Sequence, residues 1–326
     1  MKVYYSGNFR GSGNQEEAGT QVVLGRSFEY GGYEWLVPAV YCCSQGLVLD
    51  ICRKIPVEKV KAFYRKWAGA DEEELTAEQR DLIEYESPWN FEVSFTLRVN
   101  GRTVIGDRSC GGGWQGFGEE AGSDMTGEAI EAYDLDRNSA WYIHRAYYRW
   151  GAEGQEEIHS LSILFKPEDE EIPCGCHFTT SAGCGPFKVP FCHPITGEEY
   201  RLSVRSCIGE ILQDTPLEHE MPGIGKVTFP GNYCVMEYEV EGDKQLDGKI
   251  VVKDASEDDP AKREDKESLD GPSAIGFIIG ADKGAAPAAH SRKTARSSMH
   301  FEKRKQTDWY ISLKTVRYKP QEYQLI

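Results

Sequence analysis

The residues best suited to chemistry crowd into one stretch, Pro173–Pro194, PCGCHFTTSAGCGPFKVPFCHP. It holds Cys174, Cys176, His177, Cys184, Cys192 and His193. Thiolate and imidazole are the ligands zinc prefers, and four of them close a tetrahedral structural site. These six are therefore candidate zinc ligands. The spacing differs from common zinc patterns: there is no CxxC pair, and CxC followed by single cysteines is irregular. The alternative is a loop rich in small residues whose thiols are buried without a metal. A second chemistry is nucleophilic. Cys184 lies in Ala-Gly-Cys-Gly, which leaves its sulfur accessible, and His177, His193 or His144 could serve as base. A catalytic thiol needs a lowered pKa, and an acidic chain offers few cations to lower it.

Other candidates are weaker. Trp141, Tyr142, Tyr147, Tyr148 and Trp150 could line a carbohydrate or peptide groove on a sheet, or could be packing. The glycines of Gly111–Gly118 invite a phosphate cradle, but the lysine and Ser/Thr of a P-loop are missing. They read instead as a flexible connection. Carboxylate pairs such as Glu156-Glu157, Glu198-Glu199 and Asp258-Asp259 have no fixed separation in sequence, so no glycosidase follows from them. The segment Arg292–Lys305 carries Arg292, Lys293, Arg296, Lys303, Arg304 and Lys305 and reads as a solvated hairpin.

These residues must be positioned by strands. Residues 20–53 read as three strands broken at Gly31-Gly32 and Ser44-Gln45-Gly46. FEVSFTLRV, Asn100-Gly101 and RTVIG form a hairpin with a type I′ turn, because both turn residues accept positive φ. SAWYIHRAYYRW is a strand with large side chains on both faces. At Pro56 the period changes to that of a helix: Val57, Val60, Phe63, Tyr64 and Trp67 share one face. A second short helix begins at Thr76, whose capping box is completed by Gln79.

Ile158–Pro167, IHSLSILFKP, returns as Ile311–Pro320, ISLKTVRYKP. Both place Ile or Val and then an aromatic at alternate positions and end at Lys-Pro. Tyr41–Pro56 resembles Met236–Pro260: each is a strand, a turn ending in glycine (Gly46, Gly248), a strand and then a proline. AIGFIIG then answers VSFTLRV, and His144 answers His300. The expectation is a mainly β protein of two tandem, similar β-sandwich domains: residues 1–170, with a helical insertion at about 56–87, and residues 171–326, a duplication of the first.

Hydrophobic residues make up 40% and charged residues 28%, enough for a real core. The net charge of −16 disfavours nucleic acid or an anionic membrane surface as the main partner. The opening MKVYYSGNFRGSGNQEE lacks the apolar run of a signal peptide, and no window reaches a membrane span. A cytoplasmic protein is expected, with its ten cysteines reduced. Cys42, Cys52, Cys207 and Cys234 lie in strand-like runs and are expected in the core.

At HFTTSAGCGPF, at HPITGEEYRLSV and at LVLDICRKIP, the chain resembles a family of uncharacterised bacterial proteins. That resemblance implies no activity, ligand or catalytic residue. The function expected from the residues is a soluble, non-catalytic binding or scaffolding role toward a protein or small ligand. The alternatives are a metal- or cysteine-dependent enzyme centred on Cys174–His193 and a carbohydrate-binding module using Trp141, Tyr147, Tyr148 and Trp150.

Overall fold

The structure, a computed structural model, describes residues 1–7, 17–71, 75–118, 124–151, 154–212, 218–221, 225–263 and 293–326. The chain divides into two compact units. One comprises Met1–Gly69, Glu86–Asp169 and Val316–Ile326, the other Ala70–Tyr85 and Glu170–Thr315. Among the described residues no helix is long and apolar enough to cross a membrane.

The first unit begins with β1 (Thr20–Tyr30), β2 (Tyr33–Cys42) and β3 (Gly46–Ile55), followed by α1 (Val57–Trp67). After α2 (Ala77–Glu86) come β4 (Val93–Val99), β5 (Arg102–Thr103), β6 (Ile105–Trp114), α3 (Asp124–Ala132), β7 (Ala140–Arg149) and β8 (Leu161–Pro167). A first antiparallel sheet runs β1-β2-β3-β7-β6. A second runs from β5 through β4 to β8 and ends on β19 (Gln321–Gln324). Period-2 alternation sends Leu47, Leu49 and Ile51 of β3 inward to meet Leu97, Ile163 and Phe165 of the second sheet. These residues form the core of a β-sandwich.

β3 is buried along nearly its whole length because its outer face is covered too. Val48 packs with Val3 and Tyr5 from ahead of β1. Cys52 packs with Ala129, Ile130 and Leu135 from α3 and the residues after it. Between them lies Asp50, wholly buried, facing Arg145 of β7. Arg145 Nε and Nη2 each donate to a separate Asp50 oxygen at 2.7 Å. Tyr133 donates to Asp50 Oδ2 at 2.6 Å, and Tyr41 donates to the Tyr133 hydroxyl at 2.9 Å. On the inner face, Arg53 is buried among the rings of Tyr33, Trp35, Phe91 and Tyr142. It donates to the carbonyls of Pro88, Trp89 and Asn90. Burial lowers its pKa to about 10, so it keeps its charge at neutral pH.

The second unit holds β9 (Glu170–Ser181), β10 (Phe187–Cys192), β11 (Glu199–Ile211), β12 (Glu218–Met221), β13 (Gly225–Thr228) and β14 (Asn232–Val240). Then follow α4 (Lys244–Asp247), β15 (Ile250–Asp254), β16 (Lys262–Arg263), β17 (Lys293–Arg296) and β18 (Gln306–Thr315). Sheets β10-β11-β14-β17 and β15-β18-β9 enclose Leu202, Val204, Met236, Trp309, Ile311 and Leu313. A small third sheet, β12-β13-β16, lies apart from these two in strand pairing. α2 fastens to this unit: Asp81 accepts from Lys253 Nζ at 2.7 Å and from the Tyr310 hydroxyl at 2.8 Å.

The two units share one strand order. β1-β2-β3-β7 answers β10-β11-β14-β17, and β4-β8-β19 answers β15-β18-β9. This differs in detail from the sequence expectation. β8 and β18 hold equivalent positions, but the second strand spans Gln306–Thr315, not 311–320. Val316 is 46% exposed and Tyr318 lies beyond the strand, so the shared Lys-Pro ends a strand in one case and a connector in the other. β3 answers β14, so the Tyr41–Pro56 match to Met236–Pro260 is displaced by a strand. His144 sits mid-strand opposite Ile51, whereas His300 bridges Asn232 at the start of β14. AIGFIIG and Arg292 lie outside the described residues.

Local signals hold where they are local. Thr76 N donates to Gln79 Oε1 and Gln79 N to Thr76 Oγ1, the two bonds of a capping box. Asn100 and Gly101 have φ of 49° and 77°, as a type I′ turn requires. α1 spans the expected residues, but only Val60 is buried; Trp67 is half-buried and donates to Glu86. α2, expected inside the first domain, groups mainly with the second unit. Gly111–Gly113 form strand β6, not a flexible loop. A side chain at Gly112 would meet Thr126 Cγ2 at 2.8 Å, and one at Gly113 the Trp89 ring at 2.9 Å. These glycines permit close approach.

Two outcomes follow. Asp50→Ala leaves the Arg145 guanidinium buried without its carboxylate. It should cost ~3–5 kcal/mol in urea unfolding, whereas Asp50→Leu with Arg145→Met should cost less than the single change. Equal costs would show that the pair is not the stabilising element. The second concerns His144, whose imidazole burial lowers to about 4, against a smaller upward pull from Asp50. The unfolded chain binds this proton near pH 6.5. Stability from keeping His144 neutral is complete above pH 6.5 and is lost as pH falls toward 4, by ~3 kcal/mol. His144→Leu should flatten that part of the stability–pH curve; an unchanged slope would refute it.

Candidate functional site

All six Cys and His candidates lie in the second unit, but they fall into separate groups. β9 carries Cys174, Cys176 and His177, the β9–β10 turn carries Cys184, and Cys192 and His193 stand at the end of β10. Gly175, with φ of 64°, breaks the extended run between Cys174 and Cys176. The two thiols neighbour Cys192 and Glu78 of α2. Cys176 donates to the Pro190 carbonyl at 3.3 Å, and His177 pairs with Glu78. Cys184 lies instead beside Cys207, whose other neighbour is Cys234. His193 Nδ1 accepts from Ile195 N and Thr196 N, both at 3.2 Å, and so shapes a turn. Among the described residues no three His, Cys, Asp or Glu side chains are arranged to hold a metal ion.

Cys174, Cys176 and Cys207 are poorly set up as nucleophiles. Burial, with Cys176, Glu78 and Cys192 adding to it, pushes the Cys174 thiol up to about 12. Burial raises Cys176 as well, and lifts Cys207 to about 11 despite donation from the Thr180 hydroxyl at 3.2 Å. All ten cysteines are free thiols. Cys52, Cys207 and Cys234 are interior as expected; at the end of β2 it is Cys43 that is buried and Cys42 that is half-buried.

Four of the candidate aromatics, three in β7 and Trp150 just after it, lie in the interior. Trp141, Tyr147, Tyr148 and Trp150 are all buried, and three spend their polar atoms inside the unit. Trp141 Nε1 donates to Asp136 O, the Tyr147 hydroxyl to Gly7 O, and Trp150 Nε1 to Cys43 O. They are buried because both faces of the first sheet are covered.

An open groove of about 880 Å³ lies in the second unit along β14 and the turn into α4. Its lining is charged: Arg205, Lys244 and Lys293 against Glu237, Glu239, Glu241, Asp243 and Asp247, with Tyr238 among them. Several of these are tied into the frame. Asp243 caps α4, accepting from Gln245 N and Leu246 N at 2.9 Å. Asp247 accepts from Val240 N at 2.7 Å. Lys293 Nζ donates to the carbonyls of Asp247 and Ile250 and lies 5.4 Å from the Tyr238 ring; burial lowers its pKa. Others stand on the surface. Arg205 pairs with Glu239, and Lys188 with Glu241 at 2.7 Å, which holds the Glu241 carboxyl below its usual range. The alternation Glu237, Glu239, Glu241 was visible in sequence; the groove beside it was not.

A second arrangement escaped the sequence reading. His300 is buried, its Nδ1 3.0 Å from Asp259 Oδ1, and its Nε2 has no hydrogen-bond partner. Asp259 Oδ2 accepts from Phe301 N at 2.8 Å. Burial raises this carboxyl, but the bonds from His300 and Phe301 outweigh it and hold it below the usual range. His300 also exchanges both backbone bonds with Asn232, so the pair fastens a loop.

No protein-family model, no curated protein and no solved structure matches the chain. The arrangement of its own residues must carry the functional reading.

Thiol labelling checks the electrostatics. Exposed Cys192 should react first in the native protein, and Cys207 and Cys234 only on unfolding. Cys174 should react slowly at pH 7, with a rate rising about tenfold per pH unit to pH 9, as its thiolate fraction does. A Cys174 that labels as fast as Cys192 would contradict the placement.

Proposed function

We propose that this protein is a non-catalytic binding protein of two duplicated β-sandwich units, and that the groove beside β14 takes a cationic segment of a protein partner. The observation that carries the reading is the groove: about 880 Å³ of open space with five carboxylates against three cations. The net charge of −16 favours the same partner, since an acidic surface concentrates and steers cations. Mixed charges along the walls give register and selectivity more than raw affinity. The shared strand order supports duplication. Protonated, buried thiols weigh against a cysteine-dependent enzyme.

A titration with labelled peptides tests this. Lysine- and arginine-rich decamers should bind, acidic decamers should not, and raising salt from 50 to 300 mM should weaken binding severalfold. Glu237→Lys with Glu239→Lys, on the outer face of β14, should weaken cationic peptides at least tenfold while the unfolding transition stays in place. Equal binding of acidic and basic peptides, or a variant indistinguishable from the native chain, would overturn the reading.

A further inference from the structure

The second sheet of the first unit is completed from an unexpected place in the chain. β8 is flanked by β4 on one side and β19 on the other. In the second unit the equivalent strand, β18, is flanked by β15 and β9, and β9 directly precedes β10. By the same order, the strand beside β8 would come from ahead of β1. Among the described residues there, none pairs with β8. Tyr5 instead donates to Asp107, and Gly7 accepts from Tyr147, over β6 and β7 of the first sheet. The position beside β8 is filled by Gln321–Gln324, which follow the whole of the second unit.

The segment is held in a way that specifies sequence. Gln321 pairs with Phe165, Tyr323 with Ile163 and Gln324 with Ser162. Beyond the strand, Leu325 N donates to Leu161 O at 2.7 Å, and Arg26 Nε donates to Leu325 O at 3.0 Å. Side chains alternate. Tyr323 stacks on Phe28 at 3.9 Å and Leu325 is 1% exposed in the core. Between them in direction, Glu322 takes Arg98 and the Ser162 hydroxyl on the opposite face. Tyr318 stacks on Phe91 at 5.5 Å. Main-chain bonds to a sheet edge plus pockets for alternate side chains are the two components of strand addition.

We propose that the edge of β8 is a strand-acceptor site, and that residues 318–326 of a second copy of this chain occupy it by exchange. Exchange of an identical segment keeps every contact it breaks, so its cost is confined to the hinge and to the lost effective concentration. The hinge is Val316–Arg317, since the pairing of β18 ends at Thr315 and Val316 is 46% exposed.

The test uses the full chain. Leu325→Asp weakens the resident strand and leaves the acceptor edge intact. A labelled peptide of residues 317–326, RYKPQEYQLI, should bind this variant saturably in anisotropy titrations, at least tenfold more tightly than it binds the native chain. The peptide with Tyr323→Ala and Leu325→Ala should bind at least tenfold more weakly. Folded L325D that ignores the peptide, or that takes both peptides equally, would overturn the proposal. Should L325D fail to fold, native chains carrying donor and acceptor dyes decide it. Energy transfer should grow on co-incubation at high concentration and be suppressed by excess unlabelled peptide. Absent transfer, or transfer indifferent to the peptide, overturns it.

Discussion

The Asp50–Arg145 pair sets the terms for the first unit. Each group alone would be an uncompensated charge in a low-dielectric interior, and together they need two parallel charge-assisted bonds to break even. The geometry supplies those bonds at 2.7 Å. It also requires that water be kept away, which is why the outer face of the first sheet cannot be open. The residues ahead of β1 and the helix α3 close it, and Tyr133 arrives with them as a third donor to the carboxylate. Three residues on, the same strand places Arg53 on the opposite face, held by carbonyls and aromatic rings in place of an anion. One central strand thus carries a charge to each face and commits both faces to being covered.

The second unit repeats the strand order without that commitment. β14 holds the position of β3 in the strand order, but its outward residues include Glu237 and Glu239, whereas those of β3 include Asp50 and Cys52. Arg205 of β11 meets Glu239 on an exposed surface, whereas Arg145 meets Asp50 in the interior. The outer face therefore stays wet and charged, and the groove forms against α4. One architecture gives a sealed sheet in one unit and a polar, accessible one in the other. The difference lies in a handful of outward side chains and in what packs on them.

How much of this was legible follows from the range of each interaction. The Thr76–Gln79 box and the Asn100-Gly101 turn are closed within four residues, so their chemistry is readable in order. β7 was readable because most of its residues are large, on both faces. The role of its aromatics was not, because exposure depends on α3 and the first seven residues, which the strand's own sequence does not mention. Gly111–Gly113 read as flexibility because the rings and methyl groups that demand them belong to Trp89, Tyr142 and Thr126. The Cys/His stretch suggested a cluster by its density. Cys174, Cys176 and Cys192 come near one another and Glu78, but Cys184 lies beside Cys207 and His193 turns to its own loop, so closeness in sequence did not become one cluster of six. The groove draws on Arg205, the 237–247 run and Lys293, which no local pattern links.

The repeated Ile…aromatic-Lys-Pro pattern pointed to two related units through residues that turn out not to correspond. Lys166-Pro167 closes β8, whereas Lys319-Pro320 closes a connector. The reason lies in where the chain must go. β8 is followed after two residues by β9, which starts the next unit, so proline there ends a ladder and the chain moves on. β18 ends at Thr315, and the chain must still reach the vacant side of β8 before it can pair again. The Pro320 ring fixes the approach to β19 and not the end of β18. If the units arose by duplication, the strand beside β8 and the strand beside β18 occupy one structural position from opposite ends of the repeat. The first unit is then complete only after the second has been traversed. Its stability depends on a strand that is covalently remote from the sheet it finishes, and that remoteness is what makes the strand exchangeable.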